Sequence, residues 1–252
     1  MSGHSKWKTI QHKKGAADAK RGKIFSRYSK EIMVCARDGG GDVDNNPSLR
    51  TLVQNAKSAN MPMDNITRAI KKGTGELDGG QLDEIVYEGY ASGGVGLIVK
   101  VLTDNKNRAA AEVRHVFTKN NSSFAQQGAV SRGFQRKGQI TINESATDED
   151  TLMELVIEAG ADDMEHADGV FTVVTDPTAF NDVLKALEDA GIANEHAEVE
   201  MVADSNVPVN DLDTAKSILR FVDALEDNDD VQNVYANFDI DDALMEQLES
   251  EG

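Results

Sequence analysis

Cysteine is almost absent: Cys35 stands alone among 252 residues, which excludes an intramolecular disulfide or a thiolate cage and predicts a reducing compartment. Its place on an apolar helix face predicts a buried rather than a reactive thiol. No apolar run reaches the roughly 18 residues that a membrane-spanning helix requires, so no membrane contact is expected. The basic N-terminal residues are followed by no apolar segment, and Ser2 rather than glycine follows the first methionine. Neither a secretory signal nor a myristoylation site is expected, and the expected location is cytoplasmic.

Catalytic and metal motifs are missing too. His4, His12, His115, His166 and His196 show no HExxH or paired-ligand spacing, so no metal and no cofactor is expected. Asp227, Asp229 and Asp230 lack the glycine and terminal glutamate of a calcium loop and read as a solvated helix end. Gly93-Gly94-Val95-Gly96 is followed by no helix and completes neither the dinucleotide nor the P-loop spacing, so it reads as a hairpin turn. With no nucleophile elbow or kinase set either, the chain is not expected to be an enzyme, and no small-molecule substrate is expected.

Positive charge is scarce in the last 112 residues, which hold 3 basic and 31 acidic side chains, a net of −28. Such a surface repels phosphate, so this part is expected to face solvent or a basic protein. The opposite sign is gathered at the other end. Residues 1–37 carry ten Lys or Arg against Asp18 and Glu31, a net of +8 in a chain of formal charge −18. That asymmetry points to a nucleic-acid-facing terminus.

Residues 1 to about 13 lack helical periodicity and read as a basic arm carrying Lys6, Trp7, Lys8 and Lys13, followed by Lys14. From about Ala16 to Arg37, Ile24, Tyr28, Ile32 and Cys35 make an inward apolar stripe, while Lys20, Lys23, Arg27, Lys30 and Arg37 make an outward cationic one. Lys6, Lys8, Lys13, Lys14, Lys20, Arg21, Lys23, Arg27 and Lys30 are the candidate phosphate contacts. Two readings of Trp7 stand: stacking on an unpaired base, which favours RNA or single strands, or packing against the helical domain. Arg108 and Arg114, with Arg132, Arg136 and Lys137, either extend the cationic track or are dispersed surface charge.

Gly39-Gly40-Gly41 ends the first helix. Asn46-Pro47 reads as an N-cap and first residue of a second helix whose inward face is Leu49, Leu52, Val53 and Ala56. Pro62 opens a third, through about Lys72, with Ile66, Ala69 and Ile70 inward and Gly73 as its C-terminal cap. The period then changes to two. Strands around residues 85–89 and 95–102 form a hairpin, a helix spans about 107–119, and 120–133 reads as a loop leading to Gly138. A strand at 139–143, a helix at 148–159, strands near 162–166 and 170–175 turning at Asp168-Gly169, a helix at 177–190 and a strand at 195–202 spell the ferredoxin-like β-α-β-β-α-β order. After Pro208 come a helix carrying Ala215, Ile218, Leu219, Val222 and Leu225, a strand at about 231–238 and a short acidic helix. The fold class is therefore α+β and multi-domain. A basic arm and three-helix domain occupy 1–80, and an α+β middle domain occupies 81–138 plus 205–252. A ferredoxin-like domain, 139–204, is inserted in the middle one.

The stretches GHSKW (3–7), KKGAADAKRGKIFSRYSKEI (13–32), GGGDVDNNPSLR (39–50), NMPMDNITRAIKKGTGE (60–76), YEGYASGGVG (87–96) and LTDNKNRAAAEVRHVF (102–117) closely resemble the YebC/PmpR family. The resemblance runs through essentially the whole chain and implies the same three-domain organisation. It also implies a non-enzymatic regulator of gene expression, described for most members as DNA-binding in transcription and for some as ribosome-associated in translation. The implied partners are promoter DNA or ribosomal RNA, and the acidic part is expected to meet the ribosome or a basic protein. Ser122 to Phe134, SSFAQQGAVSRGF, departs from the family pattern, which more often has glycines there.

Overall fold

Helix α1 (Asp18–Gly39) opens the computed structural model, which describes residues 18–167 and 169–251. The helix stops where Gly40 takes φ +87°, a backbone state that costs glycine no Cβ clash. Residues 18–30, 80–135 and 202–251 belong to one compact unit, and residues 31–79 and 136–201 to a second.

The first unit is built on an antiparallel sheet in the order β3-β1-β2-β9, from β1 (Asp83–Tyr90), β2 (Gly96–Thr103), β3 (Ser123–Phe124) and β9 (Val231–Ala236). The hairpin between β1 and β2 turns through Ser92–Gly94, with Gly93 and Gly94 both at positive φ, as expected. Strand residues Leu97, Val99, Val101 and Val234 share a buried core with α4 (Lys106–Lys119) and α7 (Leu212–Glu226). All five apolar residues expected inward on α7 are buried, joined by Phe221. The strand expected at 231–238 divides at Asn237. Its side chain accepts the Gly96 N–H at 2.7 Å, and the chain then leaves the sheet as β10 (Phe238–Ile240), which pairs in parallel with β8 (Val207–Val209). Helix α8 (Asp242–Glu251) follows.

Residues 120–133 are not a plain loop. Ser123 and Phe124 add a short strand to β1, opposite Tyr90 and Gly89. The buried carboxylate of Glu88 then accepts the N–H groups of Gly128, Val130 and Ser131 and the Ser131 hydroxyl at 2.7–3.0 Å.

In the second unit, α2 (Pro47–Ser58) starts as expected, with the Asn46 side chain accepting the Leu49 N–H at 3.1 Å. The same amide donates to the carbonyls of Cys35 and Gly40, so one buried side chain satisfies orphan groups at two helix ends. Helix α3 (Met63–Gly73) buries Ile66 and Ala69. Gly73 is not the left-handed cap expected of it; that role passes to Gly75, φ +80°. A Cβ on Gly73 would strike the Met33 carbonyl and the Ala36 side chain, so its glycine is required by close approach to α1.

The split β-α-β-β-α-β order is present: β4 (Phe134–Asn143), α5 (Glu149–Glu158), β5 (Ala161–Ala167), β6 (Val170–Thr175), α6 (Phe180–Asp189) and β7 (His196–Ala203). The sheet order β5-β6-β4-β7 is that of a ferredoxin-like fold, with Ile140, Ile142, Phe171 and Val173 inward against the helices. Two boundaries differ from expectation. β4 begins at Phe134, and Gly138 lies within it because a side chain there would meet Phe180 and Thr175. Helix α6 begins at Phe180 rather than 177, since Asp176 first closes a turn on the Thr178 N–H at 2.8 Å. Asp168 of the expected β5–β6 turn lies outside the described residues.

Candidate nucleic-acid interface

Of the expected phosphate contacts, Lys6, Trp7, Lys8, Lys13 and Lys14 lie outside the described residues, and Lys20 and Arg21 sit in the first turns of α1, Arg21 exposed. Arg37 is exposed as expected, beside Asp38, but Lys23, Arg27 and Lys30 of the α1 stripe are not the outward-facing row expected of them. Lys23 Nζ is 2.8 Å from Asp227 Oδ1 and 2.9 Å from the Asp227 carbonyl. Arg27 donates to the Gln232 carbonyl. Lys30 Nζ donates to the carbonyls of Leu102 and Asp229 and, at 2.8 Å, to Asp230 Oδ1.

The attraction has a clear source. Residues 227–230 follow the C-terminus of α7, where unpaired carbonyls concentrate partial negative charge, and three aspartates add to it. Asp230 is therefore not the solvated helix-end residue expected from the sequence; it is 4% exposed. Its second oxygen accepts from Arg108 Nη2 at 2.8 Å and from Thr103 Oγ1 at 2.9 Å. Burial drives this carboxyl upward, but the hydrogen bonds from Lys30, Arg108 and Thr103 outweigh it and hold the group below the ordinary carboxylate range. Arg108, paired also with Asp104, is raised by those bonds. Arg114 is exposed and lies over the Phe124 ring, 5.9 Å from its centroid, while Phe124 stacks on Phe117 at 4.2 Å.

The sequence reading passed over a second group of cations. Arg68, Lys71 and Lys72 are exposed on α3, on the side away from Ile66 and Ala69. Their i, i+3, i+4 spacing was the available signal. It also passed over Asn55, a buried side chain on α2 that pairs with edge strand β7 by donating to the Ala197 carbonyl at 2.7 Å and accepting its N–H at 3.2 Å.

No metal was expected, yet strand spacing gathers His196, Glu198 and Glu200 on one face of β7. Their ligand atoms all lie within 4.8 Å of one another, a set able to hold a cation. All three are already engaged within the protein, His196 Nε2 lying 3.4 Å from Glu198. Cys35 is half-buried, and desolvation pushes its thiol upward. No helix of the described residues is long and apolar enough to cross a membrane.

Fold and surface together define a multi-domain α+β protein with a cationic helical end and an acidic remainder. The chain belongs to the TACO1/YebC family: residues 5–76 match the family's N-terminal domain and residues 82–238 its second and third domains. A protein of Halothermothrix orenii is 53% identical over 253 residues, covering all of both chains. One of Desulfotalea psychrophila is 54% identical, covering 98% of this chain and 99% of its own. Both carry the name "Probable transcriptional regulatory protein". The crystal structure of a conserved hypothetical protein from Aquifex aeolicus superposes with a TM-score of 0.82 at 46% identity, covering 89% of this chain and 93% of that one.

Proposed function

We propose that this protein regulates gene expression by binding nucleic acid through its basic N-terminal end, with duplex DNA as the working target. The observation that carries the reading is the charge partition, net +8 over residues 1–37 against −28 over residues 141–252. The names of the relatives point the same way. Helices α2 and α3, joined by the four residues 59–62 with Asn60 at φ +61°, have the connection length of a helix-turn-helix, and the second of the pair carries Arg68, Lys71 and Lys72.

The ferredoxin-like sheet offers little to RNA. Its face turned away from α5 and α6 carries Gln139, Thr141, the buried Thr172 and the His196, Glu198 and Glu200 cluster, without the aromatic rings on which RNA-binding sheets of this topology stack bases. Binding rather than catalysis is also the reading of two of the buried acids. Glu88 and Asp230 spend their oxygens on donors within the protein, and both are held in the ionised form: burial raises each, but hydrogen bonds lower each further. A general acid or base requires a proton that moves near working pH.

Ultraviolet crosslinking in cells tests the proposal, comparing the full chain with a deletion of residues 2–17 that spares helix α1. Recovery of promoter DNA, reduced by the deletion, is the expected result. Recovery of ribosomal RNA alone would replace transcription with translation as the setting, and recovery undiminished by the deletion would remove the arm from the interface.

A further inference from the structure

Most described cations hold an acid, a carbonyl or a ring within the protein, as the α1 stripe does. Arg68, Lys71 and Lys72 do not: among the described residues none of the three side chains has a hydrogen bond or ion pair. Arg68 lacks even the pairing its own helix offers. Asp64 precedes it by four residues, the spacing at which Arg108 meets Asp104 and Lys185 meets Asp189, yet no such bridge forms. The C-terminal dipole of α3 accounts for Lys71 and Lys72, which stand in its last turn; it does not account for Arg68, one turn earlier. Residues 47–77 hold five basic and two acidic side chains, so the stripe stands in a locally positive field within a strongly acidic chain.

We propose that this face of α3 is a phosphate-contact surface that lies against the backbone of duplex DNA, an inference that rests on the nucleic-acid reading above. Three cations fixed on one face of a helix meet a rigid row of phosphates without first ordering the partner. A single strand loses conformational freedom in matching them, which weakens the same contacts. Each phosphate neutralised releases counterions, so each contact carries a measurable salt dependence. The occupied cations of α1 contribute less than their number suggests, because binding requires them to leave Asp227, Asp230 and the adjacent carbonyls.

The experiment is fluorescence anisotropy with a labelled duplex of ~20 base pairs and a single-stranded RNA of the same sequence, titrated from about 50 to 200 mM salt. It uses the full chain, the triple variant Arg68→Gln/Lys71→Gln/Lys72→Gln, and a control of equal charge change, Lys100→Gln/Lys106→Gln/Lys185→Gln. The control cations are all ion-paired in the protein. For duplex DNA the triple variant is expected to reduce the slope of log K against log salt by about 2 to 3, with affinity at the low-salt end down at least roughly tenfold; the control keeps the wild-type slope. Arg68→Gln alone, outside the last turn of the helix, is expected to reduce the slope by about 0.9 and serves should the triple variant not fold. An unchanged slope in a wild type that binds overturns the α3 surface and leaves the nucleic-acid reading standing. Equal losses in variant and control reduce the effect to net charge and overturn it too, and a loss confined to the RNA strand overturns the duplex as occupant. A wild type that binds neither probe removes the nucleic-acid reading and this surface with it.

Discussion

Asp230 gathers Lys30, Arg108 and Thr103 on two oxygens at 2.8–2.9 Å. Replacing it by Asn keeps the shape but removes the charge that two cations approach. Breaking a fully buried pair costs about 3–5 kcal/mol, and since Arg108 is 45% exposed and regains water, about 2–3 kcal/mol is expected for Asp230→Asn. Urea unfolding at neutral pH measures it. Acid has a related effect. The carboxyls of Asp230 and Glu88 lie below their ordinary values in the folded chain, so the unfolded chain binds more protons as pH falls. Their stabilisation is complete above roughly pH 5 and is lost as pH drops through the lowered folded values. The Asp230→Asn variant should therefore show a shallower loss of stability than wild type between neutral pH and about pH 3, a difference that unfolding curves across that interval resolve.

Glycine acts in opposite senses on the helices. Gly22 is exposed on α1 with nothing within 4 Å of where a Cβ would stand, whereas Gly73 on α3 abuts the Met33 carbonyl. Gly22→Ala is expected to stabilise by about 0.5–1 kcal/mol through helix propensity. Gly73→Ala is expected to destabilise by about 1–3 kcal/mol through overpacking. Thermal unfolding of the two variants, side by side, should shift in opposite directions. The same contrast shows what could be read in advance. Periodicity identified α2, α3, α4, α7 and the split β-α-β-β-α-β order, because each element buries one face and the pattern of burial is local. The 120–133 segment escaped because its organiser, Glu88, lies some forty residues earlier in the chain, where it reads as one more polar position on an alternating strand. The α1 stripe was legible as a row of cations but not as an occupied row, since nothing local to residues 23–30 announces the aspartates two hundred residues away that claim it. The α3 stripe was equally visible at its spacing and was overshadowed by the denser N-terminus.

At the scale of the whole molecule, a net charge of −18 in a protein read as binding a polyanion sets a kinetic problem. Long-range repulsion slows encounter in every orientation except those that lead with the cationic end, and it discourages binding through the acidic remainder. On this argument the acidic surface orients and limits the contact, and neutralising part of it should change rates more than folding. Glu154 and Glu158 on α5 and Asp182 and Glu188 on α6 are exposed and make no ion pair among the described residues. The quadruple variant Glu154→Gln/Glu158→Gln/Asp182→Asn/Glu188→Gln should melt close to wild type, because exposed surface substitutions are each usually worth within about 0.5 kcal/mol, the field of Asp182 and Glu188 on Lys185 included. Its association rate with duplex DNA should rise by roughly two- to tenfold at low ionic strength and converge on wild type as salt shortens the Debye length toward about 8 Å at physiological strength. Stopped-flow anisotropy at two salt concentrations measures both limbs. An equal gain at high and low salt would point to a new local contact instead of relieved repulsion, and no gain at either would mean that the acidic surface does not act on the encounter.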